Sequence, residues 1–257
     1  MIVEKPTILI CNDDGFNAPG LRYLIETVSE FGNVIAVAPA DHRSGQSSAI
    51  TIGEPLRIVR HADIGKAEVY SVSGTPVDCI KLALHTIVAG RKISLMLSGI
   101  NHGSNAGNCV VYSGTMGAAM EACMQGIPSI GYSLLHHSWE ADFSQCAPFV
   151  KEITAAVLKN GLPHNVCLNV NIPAHCTPKG LKVVDASEGF WTEEYVEYKD
   201  PQGVPFYMLS GRYVDKNPEA DNTDSYWLDR QFVTVVPVTV NPTASDKIPI
   251  VRQIFEK

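Results

Sequence analysis

Residues 7–15 read Thr-Ile-Leu-Ile-Cys-Asn-Asp-Asp-Gly, an apolar run that ends in two adjacent carboxylates and a glycine. The run predicts the first strand of an α/β sheet, which places Asp13 and Asp14 at its carboxyl end. Open parallel sheets bind ligands beyond that end, where paired carboxylates hold a hard cation or transfer protons. A helix cap would account for only one of the two charges, so the pair favours a functional site.

Apolar strands alternate with helical periodicity along the first two thirds of the chain. Strands are predicted at 7–11, 34–38, 93–97, 127–132 and 166–171, with short β segments at 49–52, 56–59 and 68–72. Helices are predicted at about 21–31, 76–88, 115–124 and 149–157, the second with Thr75 as its cap and Pro76 at its first position. This alternation predicts a doubly wound, mainly parallel α/β sheet.

The C-terminal part has a different character. Residues 186–257 contain eleven of the twenty aromatic residues among turn-forming Pro, Gly and Asn, and they finish with the alternating run 232–240. We therefore expect a catalytic core over 1–185 and a β-hairpin-rich extension over 186–257. The aromatic surface could stack a base, but contacts with the core and with other subunits are the favoured interpretation.

The composition restricts the class of protein. With 257 residues and 45% apolar content, the chain can bury a sizeable core. A formal charge of −7 argues against a stable complex with long nucleic acid, which needs many cations. The N-terminal residues lack the pattern of a signal peptide, there is no membrane-spanning apolar run, and the seven scattered cysteines include no C-x-x-C pair. We therefore expect a soluble cytoplasmic protein that has no membrane partner.

Three further polar loops follow predicted strands, at 41–48, 98–105 and 112–117. If the sheet brings these loops to the acidic pair, they form a rim at the carboxyl ends of the strands. This rim carries two carboxylates, a hydroxyl, two carboxamides and a helix N-terminus. Oxygen ligands suit Mg²⁺, Mn²⁺ or Ca²⁺ better than zinc. The helix start beside Ser113 and Thr115 is suited to a phosphate group, because its backbone N–H groups are free.

These loops carry an ordered set of motifs: Asn12-Asp13-Asp14-Gly15, Arg43-Ser44-Gly45, Gly74-Thr75-Pro76, Ser98-Gly99-Ile100-Asn101 with Gly103 and Asn105, Tyr112-Ser113-Gly114-Thr115, and Asn169-Val170-Asn171-Ile172-Pro173. In this order and spacing they resemble the SurE family, the survival-protein 5′/3′-nucleotidases. Such a set is far more specific than any single motif. Thr223-Asp224 and residues 232–237 are similar to the family's closing segment, though more loosely.

The resemblance implies a metal-dependent phosphatase that acts on nucleoside monophosphates as a 5′-nucleotidase, with 3′-nucleotidase and exopolyphosphatase activities left open. It also implies a Rossmann-like core and C-terminal elements exchanged within a homodimer or homotetramer. One divalent cation per subunit, Mg²⁺ or Mn²⁺ (Ca²⁺ in a crystal), would be held by Asp13, Asp14, Ser44 and Asn101. The substrate phosphate would contact Asn105, Ser113, Gly114 and Thr115.

Asp13 and Asp14 are the predicted catalytic residues, Asp13 as base or nucleophile and Asp14 mainly as a metal ligand. Direct attack by water and an aspartyl-phosphate intermediate both stay open. His102 could donate a proton to the leaving alcohol, but we favour a surface loop histidine. His136 and His137 lack partners at zinc-ligand spacing, so no zinc site is predicted.

Other classes of protein fit less well. A haloacid-dehalogenase-type phosphatase would have its nucleophilic aspartate where Asn12 stands, and a dinucleotide-binding enzyme would have G-x-G-x-x-G where the acidic pair lies. A non-catalytic nucleotide- or metal-binding regulatory module remains the alternative, since it could keep the same rim without turnover.

Overall fold

A computed structural model describes residues 5–256, and these residues form a nine-stranded central sheet. In spatial order its strands are β3 (Ile58–Arg60), β4 (Glu68–Val72), β2 (Asn33–Pro39), β1 (Thr7–Cys11), β5 (Leu95–His102), β6 (Ser129–Leu134), β7 (Val166–Ile172), β13 (Val233–Thr239) and β8 (Leu181–Val183). The six strands from β4 to β7 are parallel. β3 is antiparallel to β4, and β13 is antiparallel to β7 but parallel to β8. This confirms the predicted Rossmann-like, doubly wound and mainly parallel α/β sheet.

Helices cover both faces of the sheet. α1 (Pro19–Val28) and α4 (Ala147–Asn160) pack on one face, while α2 (Pro76–Leu82) and α3 (Gly114–Met124) pack on the other. Strand β1 serves both layers, because Ile8 and Ile10 point into the first core and Leu9 and Cys11 into the second. A strand that is buried on both faces is apolar throughout, and for this reason the apolar run 7–11 correctly predicted a strand.

The start of α2 agrees with its predicted cap. The Thr75 side chain accepts a hydrogen bond from the Asp78 N–H at 3.1 Å, and the Asp78 carboxylate accepts one from the Thr75 N–H at 2.9 Å. Pro76 occupies the first turn, where its missing N–H is of no consequence. The helix continues as a π-helical turn over Ala83–Ile87.

Two local predictions were wrong. Residues 49–52 form no strand, because the Thr51 N–H and hydroxyl bond to the Asp78 carboxylate instead of a neighbouring strand. Strand β5 runs on to His102 through residues predicted as a loop, after a register shift between Ser98 and Asn101. Gly99 permits this irregularity with a φ of +125°, where a side chain would meet the Tyr132 carbonyl oxygen.

The C-terminal part contains the expected antiparallel pairs. β9 (Gly189–Thr192) pairs with β12 (Arg212–Asp215), and β10 (Tyr195–Lys199) pairs with β11 (Pro205–Leu209). Two short helices follow, α5 (Asp224–Asp229) and α6 (Ile248–Phe255). Strand β13 does not stay with this extension, since it enters the central sheet between β7 and β8. No helix within residues 5–256 has the length and apolar character needed to cross a membrane.

Candidate metal and phosphate site

The acidic pair is presented by a tight turn that Asn12 closes. The Asn12 carboxamide donates to the Gly15 carbonyl at 3.0 Å and accepts from the Gly15 N–H at 3.2 Å. Only a carboxamide can do both, so an aspartate here would lose one bond. Gly15 has a φ of +101°, which favours glycine. Asn12 thus holds the turn that carries Asp13 and Asp14, a structural role that was not predicted from the sequence.

Asp13 lies against the start of α3. It is 3% exposed, and its Oδ1 accepts a hydrogen bond of 2.5 Å from the Thr115 hydroxyl. Burial, together with the neighbouring charge of Asp14, raises the pKa of Asp13 to about 6 against the opposing hydrogen bonds from Thr115. Gly114 makes the approach possible, because a Cβ there would lie 2.8 Å from the Asp13 Cβ.

Asp14 points to the other side of the turn. Its Oδ2 accepts a hydrogen bond of 3.1 Å from the His102 N–H, and its Oδ1 lies 3.5 Å from the His42 Nδ1. Burial raises the pKa of Asp14, while the His102 amide and the nearby His42 oppose that shift. Within residues 5–256, His42 is the only basic side chain within 4.0 Å of either carboxylate. Among the described residues, neither carboxylate has a lysine or arginine partner.

Ser44 and Asn101 approach the pair from two other loops. The Arg43 N–H donates to the Asp13 carbonyl at 2.7 Å, which ties the Ser44 loop to the acidic turn. Asn101 donates its amide N–H to the Gly103 carbonyl at 2.8 Å, so its Oδ1 turns toward the Thr115 hydroxyl, 3.5 Å away. The four side chains expected to hold a cation thus meet at one edge of the sheet.

This donor set fits a hard divalent cation. It offers two carboxylates, a hydroxyl and a carboxamide oxygen, the ligand types that Mg²⁺ and Mn²⁺ prefer. The described part of the chain contains no group of three or more His, Cys, Asp or Glu side chains arranged to hold a metal ion. Neutral oxygens such as those of Ser44 and Asn101 would have to complete the coordination.

The expected phosphate contacts surround the N-terminus of α3. The Ser113 hydroxyl caps this helix by accepting from the Met116 N–H at 3.1 Å. The Thr115 hydroxyl is already bonded to Asp13. A contact between Thr115 and a phosphate would therefore come from its backbone N–H group in the first turn of the helix. Asn105 is 6% exposed and donates its amide N–H to the Ser133 hydroxyl at 2.8 Å.

Two clefts open from this centre. The first, which we call the aromatic cleft, has a volume of about 620 Å³ and contains Asp13, Asn101, Asn105 and Ser113. Its far wall is made by Tyr112 and by Trp191, Tyr195 and Leu209 of the extension. Trp191, Tyr195 and Leu209 were not predicted as site residues, although the density of aromatic residues after 186 was the available signal.

The second, the histidine cleft, has a volume of about 700 Å³ and contains Asp14, His42, His102, His137 and Trp139. His102 is not the surface residue that we expected. Its ring stacks on Trp139 with centroids 5.4 Å apart, and its Nδ1 lies 2.8 Å from the Ser138 carbonyl oxygen. Burial lowers the pKa of His102, against the effect of that hydrogen bond.

Comparison with known proteins identifies the relatives of this chain. The family model described as "Survival protein SurE" matches residues 8–193. The chain belongs to the SurE family. A relative named 5′-nucleotidase SurE from Christiangramia forsetii is 48% identical, over 94% of this chain and 94% of that protein. A relative of the same name from Phocaeicola vulgatus is 43% identical, over 94% of this chain and 93% of that protein. The crystal structure of the SurE protein from Aquifex aeolicus is 34% identical, with a TM-score of 0.83 over 97% of this chain and 99% of that one.

Membership in the SurE family confirms the resemblance predicted from the ordered motifs. The Aquifex aeolicus structure also agrees with the mixed sheet and the antiparallel strands of the extension.

Proposed function

We propose that this protein is a metal-dependent 5′-nucleotidase, a phosphoric monoester hydrolase that releases inorganic phosphate from nucleoside monophosphates. The observation that carries the proposal is the aromatic cleft. It joins oxygen donors suited to a cation, the N-terminus of a buried helix and an aromatic wall. The relatives named 5′-nucleotidase SurE add support, because they match nearly the whole chain.

In this proposal Asp13, Asp14, Ser44 and Asn101 hold one divalent cation per subunit, with Mg²⁺ or Mn²⁺ as the expected ion. When bound, the cation polarises a phosphoryl oxygen and neutralises part of the charge on the phosphate. Asp14 serves mainly as a ligand, since it lines the histidine cleft and not the aromatic cleft that contains Asp13 and the phosphate-binding groups.

The protein's own groups position the substrate. The backbone N–H groups of Gly114 and Thr115 receive the phosphoryl oxygens, because the first N–H groups of a helix have no partner within it. The Ser113 N–H donates to the Val110 carbonyl at 3.4 Å, so Ser113 contributes its hydroxyl hydrogen instead. The absence of a side chain at Gly114 lets the phosphate come close to Asp13. Asn105, which lines the same cleft, orients that group with its carboxamide.

Asp13 acts as the base that takes a proton from the attacking water. Its Oδ1 is held by Thr115, which leaves Oδ2 to accept that proton. A carboxylate that is 3% exposed and tied to a helix has little freedom to reach phosphorus itself, so we favour direct attack by water over an aspartyl-phosphate.

The aromatic wall supports a nucleoside as the leaving group. Tyr112, Trp191 and Tyr195 present partly exposed rings to the same cleft as the phosphate-binding groups. Stacking of a base on such rings is worth about 1–3 kcal/mol, and it tolerates different bases. The extension would thereby contribute to substrate binding as well as to the fold.

We further propose that residues 186–257 form an oligomerisation segment on the core of residues 1–185, in a homodimer or homotetramer. Every residue of strands β10 and β11 is exposed, and α6 exposes Ile250, Ile254 and Phe255. Apolar patches of this kind mark subunit contacts. All seven cysteines are free thiols, which supports a reducing compartment such as the cytoplasm.

Phosphate release from 5′- and 3′-nucleoside monophosphates and from polyphosphate tests the proposal, with Mg²⁺, Mn²⁺ and a chelator compared. We expect release that stops on chelation and falls by more than about 100-fold in Asp13→Asn. The control is Asp229→Asn, which removes an exposed carboxylate at the end of α5 that lines neither cleft. Nucleotide binding without phosphate release would instead support the regulatory module, and chelator-resistant release would refute the role of the metal.

A further inference from the structure

Strand β7 carries two asparagines, Asn169 and Asn171, that have no part in the function proposed above. They are 1% and 0% exposed, in the middle of the central sheet. A buried carboxamide is unfavourable unless its polar atoms are hydrogen-bonded. Two of them in one strand therefore indicate a specific set of partners.

Those partners are the backbone groups of Asn105. The Asn171 Oδ1 accepts from the Asn105 N–H at 2.9 Å, and the Asn169 Nδ2 donates to the Asn105 carbonyl at 2.8 Å. The two asparagines also bond to each other, Asn171 Nδ2 to Asn169 Oδ1 at 3.0 Å. They can cooperate because residues two apart in a strand point to the same face.

The side chain of Asn105 is held by the neighbouring strand. Its Nδ2 donates to the Ser133 hydroxyl at 2.8 Å, and Ser133 on β6 is the register partner of Asn171 on β7. Ser133 is 1% exposed, so water does not compete for this bond. We call Ser133, Asn169 and Asn171 the Asn105 clamp.

The clamp holds residue 105 at three of its polar groups and leaves the second amide N–H and the side-chain Oδ1 unbonded within residues 5–256. Both backbone polar groups are bonded, and one amide N–H is bonded to Ser133. The second amide N–H stays available to a ligand in the aromatic cleft, which Asn105 lines. A loop residue is in this way fixed to two strands of the rigid sheet.

We infer that Ser133, Asn169 and Asn171 are positioning residues that orient the Asn105 carboxamide toward the substrate phosphate. The inference rests on the proposed function, in which Asn105 contacts that phosphate. It assigns a role to the motif Asn169-Val170-Asn171, whose spacing places both carboxamides on Asn105. Preorganised donors are effective because they need no rearrangement when the substrate binds.

Ser133→Ala tests the inference with the smallest change, since it removes a single hydroxyl. We expect kcat/KM for AMP to fall about tenfold, and the inhibition constant of inorganic phosphate to rise in proportion. The control is Ser129→Ala, which removes an equally buried hydroxyl from the other end of β6, where it donates to the Ile127 carbonyl. A loss of the same size in both variants would overturn the inference.

A double-mutant cycle with Asn105→Ala separates positioning from a general structural effect. Because Ser133 acts through the Asn105 side chain, Ser133→Ala should cause no further loss in the Asn105→Ala background. Independent, additive losses would refute the clamp. Full activity of Asn105→Ala alone would refute the phosphate contact itself, so the two failures are distinguishable.

Asn169→Ala and Asn171→Ala extend the test to the backbone anchors. Both should lower kcat/KM more than Ser133→Ala, because they release the chain at residue 105 and not only its side chain. Full activity of either folded variant would contradict the inference. The serine variants keep the test decisive if an asparagine variant fails to fold.

Discussion

Replacing Asp13 by asparagine is expected to remove activity and yet to stabilise the metal-free protein at neutral pH. The pKa of Asp13 is raised from 3.8 to about 6, mainly by burial and next by the charge of Asp14. At 1.36 kcal/mol per pKa unit, this shift corresponds to about 3 kcal/mol. Asparagine is similar in size, carries no charge and can still accept the Thr115 hydrogen bond.

The direction of the effect follows from proton linkage. The folded protein holds the Asp13 proton more tightly than the unfolded chain does, so folding stability is lost as the pH rises from about 4 to about 6. The gain from Asp13→Asn should be near zero below pH 4, roughly half complete at pH 5 and about 3 kcal/mol above pH 6. Urea unfolding with a chelator present, at several pH values, measures it.

Asp229→Asn is the matched control, because it removes the same charge from an exposed side chain that lines neither cleft. It should change the free energy of unfolding by less than about 0.5 kcal/mol at any pH. A gain for Asp13→Asn that does not grow between pH 5 and pH 7.5 would refute the argument. Added Mg²⁺ should stabilise the wild type more than the variant, because the cation needs the ionised carboxylate.

Three further changes should have separable effects. Gly114→Ala places a Cβ 2.8 Å from the Asp13 Cβ, so phosphate release should fall by about 100-fold with little change in secondary structure, as judged by circular dichroism. Trp191→Ala should raise KM for AMP about tenfold but leave KM for ribose 5-phosphate within about twofold; equal increases would rule out base stacking. Asp224→Ala leaves the N–H groups of Gly107 and Ser187 without their buried acceptor, and it should lower the free energy of urea unfolding by about 2–4 kcal/mol. The control Asp229→Ala, at the exposed end of α5, should lower it by less than about 0.5 kcal/mol.

The parts of the fold that could be predicted from the sequence depend on the residues of one short segment and their contacts with each other. Strand 7–11 is buried on both faces, and Thr75 with Pro76 starts a helix through bonds within four residues. The segment 49–52 could not be assigned, because its backbone bonds to Asp78, a residue 27 positions away from Thr51. Nothing near residue 51 encodes that partner.

The candidate site likewise combines residues that the sequence predicts with contacts that depend on the folded structure. Asp13 and Asp14 follow directly from the end of β1, and the ordered motifs brought Ser44 and Asn101 to them. The bond between Thr115 and Asp13 joins residues 102 positions apart, so only the folded structure reveals it. The packing of His102 on Trp139 and the place of Trp191 in the cleft are likewise tertiary contacts.

The late return of β13 to the central sheet has a consequence for biosynthesis. This strand comes from residues 233–239, yet it covers one edge of β7, whose asparagines hold Asn105. A nascent chain therefore carries β7 with an open edge until residue 239 has left the ribosome, and open strand edges promote aggregation. A premature stop codon between residues 184 and 232 would leave β7 and β8 without the strand that lies between them, and we expect an insoluble product, not a smaller working enzyme.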